Sequence, residues 1–411
     1  MTASPGRSLP APTRSRRTSS PRAVSACRAA TDAPAQAQYP GQGANHVDFG
    51  LTEEQKLIRD GARQFLRTTA TGAYVREMSA HPTGCRPDVW RQIADLGWTG
   101  LIAEERHGGA ALGMIELAIV IEEMGAVAFP GPFFSSAVVG LSALKLGGNR
   151  EQQDAHIPPI AEGARIASVV LESTEMVSAS RAGSGWSLKG RLDYVPEVTS
   201  ADLYVLPAVE SRSGKTLLFA IPRGTDGLAA GKRWDTVSHD RLGELALDGA
   251  MVGADCLLNG DDASTVLGRL RLVGAGLKAV EMIGGAGRVL EMTVEYAGKR
   301  EQFGRPIGSF QAVQHMIAEM AIQVSSARHL AYRAAWQLER GGDAGNAVGL
   351  AKLRANEAAV RVCELAHQCH GAIGFTQEHD LQLYTRSAMA GRASFGDSRA
   401  HRDAVLATLG L

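Results

Sequence analysis

The sequence predicts an α+β fold, mainly α, built from three successive parts. Three observations carry that expectation. After residue 51, apolar residues recur every three or four positions, the period of a helix with one buried face. Near residue 166 the period changes to short apolar or alternating runs separated by Gly and Ser clusters, which is strand chemistry. Near residue 264 the helical spacing returns and is kept to the end. These changes place a helical domain at 47–165, a β domain at 166–260 and a second helical domain at 261–411, with residues 1–46 outside the fold.

A chain of 411 residues is long enough for two or three parts around a substantial core. Its 43 basic and 43 acidic residues balance, so nothing in the charge points to a nucleic acid or a membrane surface. No apolar run approaches the roughly 18 residues of a membrane span; the stretch Ile115–Ile121 is stopped by Glu122 and Glu123. The five cysteines show neither CxxC nor metal-like spacing and read as reduced thiols.

In residues 1–46, Arg7, Arg14, Arg16, Arg17, Arg22 and Arg28 precede the first acid, Asp32, among many Ser, Pro and Ala. Such a composition cannot bury enough apolar surface to offset its ordering entropy, so a disordered tail is expected. It resembles a transit peptide in being Arg- and Ser-rich, but Pro5, Pro10, Pro12 and Pro21 break the amphipathic helix that a mitochondrial one uses. A mis-called start is the favoured account, and a bacterial cytoplasmic location is expected rather than the mitochondrial matrix.

Thr52-Glu53-Glu54-Gln55 has the spacing of a capping box, and Leu57, Ile58, Ala62, Phe65 and Leu66 follow it as a helical stripe. Further helices are expected around Trp90–Leu96 and Ile115–Met124. Strands are expected at Ile166–Glu172, Trp186–Lys189, Leu203–Val209 and Thr216–Ile221, in an antiparallel arrangement. Beyond 264, Leu272, Leu277, Val280, Ile283, Val289, Leu290 and Val294 give one long buried helix face. Gly274-Ala275-Gly276-Leu277-Lys278-Ala279 fits GxGxxA and Glu295 could serve as the acid, but no second strand follows because the helical period runs straight to Tyr296, so close helix packing explains it better than a nicotinamide site.

That helix runs into Lys299-Arg300-Glu301-Gln302-Phe303-Gly304-Arg305-Pro306-Ile307-Gly308, where Gly and Pro force a tight corner before a new helix. Arginine offers a planar fork suited to a diphosphate, and phenylalanine a face for an aromatic ring. By itself this is also an ordinary helix–helix turn. Together with Gln368-Cys369-His370-Gly371-Ala372-Ile373-Gly374-Phe375-Thr376 and the opening Leu51-Thr52-Glu53-Glu54-Gln55, however, the corner resembles the signatures of the acyl-CoA dehydrogenase family. The resemblance covers almost everything after residue 46. It implies a helical domain, a β domain and a C-terminal four-helix bundle, FAD as cofactor, an acyl-CoA substrate and α,β-dehydrogenation to the 2-enoyl-CoA. It also implies an electron-transfer flavoprotein or similar acceptor, and a homotetramer or a heterotetramer with a paralogous subunit.

Carried over residue by residue, the resemblance assigns Arg300 to the FAD diphosphate, Phe303 to the adenosine side and Gln311 to a further FAD contact. Gln368, His370 and Gly371 stand in the loop that closes over the adenosine across the subunit interface. In the β domain, Val195-Pro196-Glu197-Val198 replaces the family's Ser/Thr-rich strand beside the flavin. The two positions at which the family carries its catalytic glutamate hold Phe395 and Gly274 here. Neither accepts a proton. Asp397 is the nearest carboxylate, either a displaced base, a hydrogen-bond partner of the flavin or the cap of a helix beginning near Ser398, with the last two together favoured. Glu281 is a further candidate. Three readings follow: a dehydrogenase, a non-catalytic FAD-binding partner subunit of a heteromeric dehydrogenase that handles bulky, steroid-like thioesters, and a relative of acyl-CoA oxidases or flavin monooxygenases.

Overall fold

The computed structural model describes residues 50–408 and Gly410, apart from His239. The tail expected at 1–46 lies outside the described residues. Helix α1 (Glu53–Thr69) starts at the expected capping box. The Thr52 hydroxyl accepts from the Gln55 amide at 3.2 Å, and the Gln55 side chain accepts from the Thr52 amide at 3.0 Å. Helices α2 (Gly72–Ala80), α3 (Pro87–Asp95) and α4 (Met114–Ala126) follow. A π-helical stretch, Phe134–Gly140, runs into α5 (Leu141–Gly147), and α6 (Arg150–Ala161) completes the set.

Seven strands come next: β1 (Ala167–Val169), β2 (Val177–Ala182), β3 (Gly185–Pro196), β4 (Leu203–Glu210), β5 (Thr216–Pro222), β6 (Leu228–Arg233) and β7 (Leu242–Val252). Their order is β1-β4-β2-β3-β7-β6, with β5 also paired to β4. The expected all-antiparallel pairing is corrected here. β4 runs parallel to β1 (Ala167 opposite Leu203) and to β2 (Ser178 opposite Val209). The chain makes the β2–β3 hairpin before returning beside β1, so β4 runs in the same direction as β1. Periodicity reports which face is buried but not which way a strand runs. Trp186 and Phe219 meet edge to face at 5.7 Å in the core of this sheet, with Tyr204, Leu188, Leu206 and Leu245 around them.

The third part is helical: α7 (Ala263–Lys299), α8 (Gln311–Arg340), α9 (Gly345–His370), α10 (Leu381–Ala393) and α11 (Ser398–Thr408). The GxGxxA stretch lies inside α7, with no strand on either side, so its glycines serve packing. The long α7 also crosses α4 at two glycines. A Cβ on Gly125 would stand 2.0 Å from the Glu281 carbonyl, and one on Gly284 2.0 Å from the Glu122 carbonyl. Backbone therefore meets backbone, and no other residue allows that approach. From α4, Glu122 accepts from Arg328 and from the Tyr332 hydroxyl of α8, both at 2.7 Å. Neighbouring Glu123 is gripped by Arg63 of α1 at 2.8 Å. The outcome is mainly helical with a central sheet, as the sequence implied. No helix among the described residues is long and apolar enough to cross a membrane.

Candidate active site

A cavity of about 500 Å³ opens between the sheet and the helices around α7. Its walls come from seven stretches of the chain, two of them the end of β1 with the residues after it (Val169, Leu171) and α9 (Ala359, Cys363). α4 and the segment after it supply Ile121, Met124, Phe133 and Phe134, while the end of β3 supplies Tyr194, Pro196 and Glu197. The loop before β7 adds Asp240 and Arg241; α7 adds Lys278, Glu281 and Gly285; α10 and its exit add Tyr384, Gly391 and Phe395.

The two residues standing where carboxylates were expected pack against each other here. A Cβ on Gly274 would lie 2.3 Å from the Phe395 ring, so that ring fills the space a side chain at 274 would take. The ring also leans on Phe134, centroids 5.7 Å apart. The turn carrying Phe395 is held from beneath. Buried Lys352 donates to the carbonyls of Gly391 at 2.8 Å and Gly396 at 3.3 Å, and His401 Nε2 donates to the Phe395 carbonyl at 2.8 Å. Phe395 itself has a left-handed backbone, φ 56°.

Asp397 is exposed and does not line the cavity. Its Oδ1 accepts from the Ala400 amide at 2.8 Å, which makes it the cap of α11. That amide bond holds its carboxyl below the usual aspartate range. Glu281 does face the cavity, bound to Lys278 at 2.5 Å. Burial works against the charge on Lys278, but Glu281 and Asp240 outweigh it and raise its pKa. The Lys278 ammonium also lies 4.0 Å over the Phe134 ring. Glu197 is locked to Arg241 by two bonds of 2.8 and 3.1 Å, both side chains buried. Of the cavity's acids, Glu197 and Glu281 are thus already matched with cations.

The expected cofactor contacts gather at the other end of α7. There Glu301–Gln302 and Arg305–Pro306 form a two-residue hairpin, with Phe303 at φ 53° and Gly304 at φ 75° as its turn. Two positive φ angles in succession match the twist of a tight hairpin, which glycine tolerates and phenylalanine does not. Phe303 is nonetheless 92 % exposed. Arg300 is exposed too, and its guanidinium has no partner among the described residues; Gln311 opens α8, also exposed. Tyr296, one turn before Arg300, stacks on His370 at 4.5 Å and donates to its carbonyl at 3.4 Å. So the 368–371 loop and the corner share the end of α7. His370 is buried, which lowers its pKa, whereas Gln368 and Gly371 are exposed.

These residues fit a flavin dinucleotide. The cavity has aromatic and aliphatic walls for a ring system, and the unpaired Arg300 fork suits a diphosphate. Three features of the site escaped the sequence. The left-handed Tyr194 (φ 56°) and Glu197 (φ 50°) could be found only from the unusual Val-Pro-Glu-Val run that contains or adjoins them. The Lys278–Glu281 pair had a legible signal in its i,i+3 spacing on a helix otherwise apolar there. Lys352 had no such signal.

Comparison with known proteins gives a consistent result. Residues 52–164 match the acyl-CoA dehydrogenase N-terminal domain and residues 271–410 the acyl-CoA dehydrogenase C-terminal domain. The acyl-CoA dehydrogenase FadE27 of Mycobacterium tuberculosis is 30% identical over 362 residues, covering 85% of this chain and 95% of that protein. The probable acyl-CoA dehydrogenase YngJ of Bacillus subtilis is 29% identical, covering 87% and 98%. Among solved structures, the ChsE4–ChsE5 complex from Mycobacterium tuberculosis superposes with a TM-score of 0.82 at 28% identity, over 89% of this chain and 99% of that one.

Proposed function

This chain belongs to the acyl-CoA dehydrogenase family, and from that premise we propose that it serves the FAD-dependent α,β-dehydrogenation of an acyl-CoA thioester. The observation that carries the reading is the cavity between sheet and bundle, closed by residues as distant as Ile121 and Phe395. Bound FAD would supply the acceptor for the hydride leaving the β-carbon. Arg300, Phe303 and Gln311 would hold its diphosphate and adenosine side, and Gln368, His370 and Gly371 would close over it. The apolar walls exclude water, which strengthens any hydrogen bond to a developing enolate. An electron-transfer flavoprotein or similar acceptor would then take the electrons.

The packing of Gly274 against Phe395 favours a second reading. Removing an α-proton needs a carboxylate beside the substrate, and both positions where the family has one are apolar here. To act alone, the chain would have to release Asp397 from its cap or Glu281 from Lys278, or turn to Asp240 or Glu172 elsewhere in the cavity wall. A paralogous subunit carrying its own glutamate removes that requirement, with this chain as the FAD-binding partner in a heterotetramer. Its likeness to one chain of the ChsE4–ChsE5 complex agrees with that role.

One experiment separates the two. The purified chain is loaded with FAD and mixed anaerobically with acyl-CoA while the flavin absorbance is followed. Prompt bleaching by the lone chain supports the self-sufficient enzyme, and Asp397→Asn then tests its base. No bleaching supports the partner role, and Phe395→Glu should then restore a general base worth about 10²–10⁴-fold in rate. A chain that takes up no flavin, alone or with a partner, defeats both.

A further inference from the structure

The Lys278–Glu281 pair is out of place for stability. Burying two charges costs desolvation that their attraction seldom repays, and an apolar pair of similar volume is often as stable or more so. Yet the pair stands in the wall of a cavity otherwise lined here by Ile121, Met124, Phe134, Met282 and Gly285. Lys278 is only 12 % exposed, and Glu281 31 %. An ammonium has three donors and no acceptor. One goes to Glu281 Oε2 at 2.5 Å, and the face of Phe134 at 4.0 Å engages the charge a second time. No other acceptor within hydrogen-bond distance is provided by the described residues, so a donor is left for the cavity.

We propose that Lys278 and Glu281 form a polar subsite within the acyl cavity, which selects acyl-CoA thioesters whose acyl group carries a neutral oxygen, a ketone or hydroxyl, away from the thioester. This rests on the cavity being the acyl site, but not on whether the chain supplies its own base. A neutral oxygen fits better than a carboxylate. Glu281 already balances the lysine's charge, and Asp240 stands in the same wall. A second anion would meet both. A ketone accepts from the free ammonium donor; a hydroxyl can also donate to the Glu281 carboxylate. A plain hydrocarbon chain can do neither and leaves that donor unmet.

The test measures binding, so it does not depend on turnover. The FAD-loaded protein, with its partner subunit if one is required, is titrated calorimetrically with octanoyl-CoA and with its 5-oxo, 6-oxo and 7-oxo derivatives. At least one oxo ester should bind about tenfold or more tighter than octanoyl-CoA, as a hydrogen bond to a charged group implies. The double variant Lys278→Met/Glu281→Met removes both charges together and so leaves neither stranded. It should bring the four affinities to within about twofold, with octanoyl-CoA binding retained. Equal affinity of all four esters for the wild-type protein overturns the subsite while leaving the acyl-CoA reading intact. A preference that survives in the double variant overturns it as well. Binding of none of the four overturns both.

Discussion

Lys352 is the residue whose chemistry is most constrained by its surroundings. It is fully buried, and its ammonium donates to Asn356 Oδ1 at 2.6 Å as well as to the Gly391 and Gly396 carbonyls. Burial, and then the like charge of Lys278, pull its pKa down to about 7. In the unfolded chain a lysine titrates near 10.4. Between those values the unfolded state holds a proton that the folded state has released, so stability rises with pH, by up to about 1.4 kcal/mol per unit. Below pH 7 the cost of the buried charge is fully present. Urea unfolding from pH 7 to 9 should therefore show wild type gaining on Lys352→Met by on the order of 1 kcal/mol per unit. A pH-independent difference between the two would contradict this. At this scale the sequence was informative about what is missing and silent about what is strained. Gly274 and Phe395 could be read as the loss of an acid at two positions, one by one. That they touch, and that Phe395 adopts positive φ, depends on segments far apart in the chain and leaves no mark on residue type.

Among the elements, the crossing of α4 and α7 sets the geometry of the cavity, since both helices line it. Its closeness depends on two glycines whose absent side chains let main chain meet main chain. Gly284→Ala should force the helices apart and lower stability by about 1–3 kcal/mol or more, read from the denaturant midpoint. Full stability in that variant would show that the crossing is looser than drawn. Gly268→Ala, at a position with nothing within 4 Å, is the control and should be neutral or slightly stabilising through helix propensity. Helix α7 was legible because its apolar spacing is long and regular. The hairpin β8–β9 (Glu301–Gln302 and Arg305–Pro306) was legible only as a corner, because two-residue strands have no period. β2 and β6 went unread because half their residues face solvent and their alternation is broken by Ser, Gly and Lys; β7 alternates in its burial but carries Gly and Ala at buried positions where a strand pattern wants large apolar residues.

For the molecule as a whole, the middle and the end of α7 divide the work. The middle, from Lys278 to Ala286, faces the cavity, and the Arg300 end presents a strained hairpin with an exposed aromatic and a guanidinium without a partner among the described residues. If Arg300 holds the FAD diphosphate as proposed, Arg300→Ala should weaken FAD retention by about 1.5–3 kcal/mol. Because Arg300 has no partner among the described residues, the thermal midpoint of the flavin-free protein should not change. Equilibrium dialysis of FAD beside a melting curve checks both halves, and undiminished flavin retention would remove Arg300 from the site. The three-part architecture could be read from changes of period, because each class of element has its own. The cavity could not. Its walls are drawn from seven separated stretches, and only folding brings Ile121, Tyr194, Glu281 and Phe395 to one space.

The contact between Gly274 and Phe395 also constrains the routes by which this sequence can change. A side chain introduced at 274 meets the ring at 395, so an acid placed there first requires that ring to move. At 395 no such adjustment is needed, since glycine opposite leaves room for whatever replaces the phenylalanine. A proton acceptor is therefore gained with less rearrangement at 395 than at 274, which makes the two routes unequal although the two positions touch.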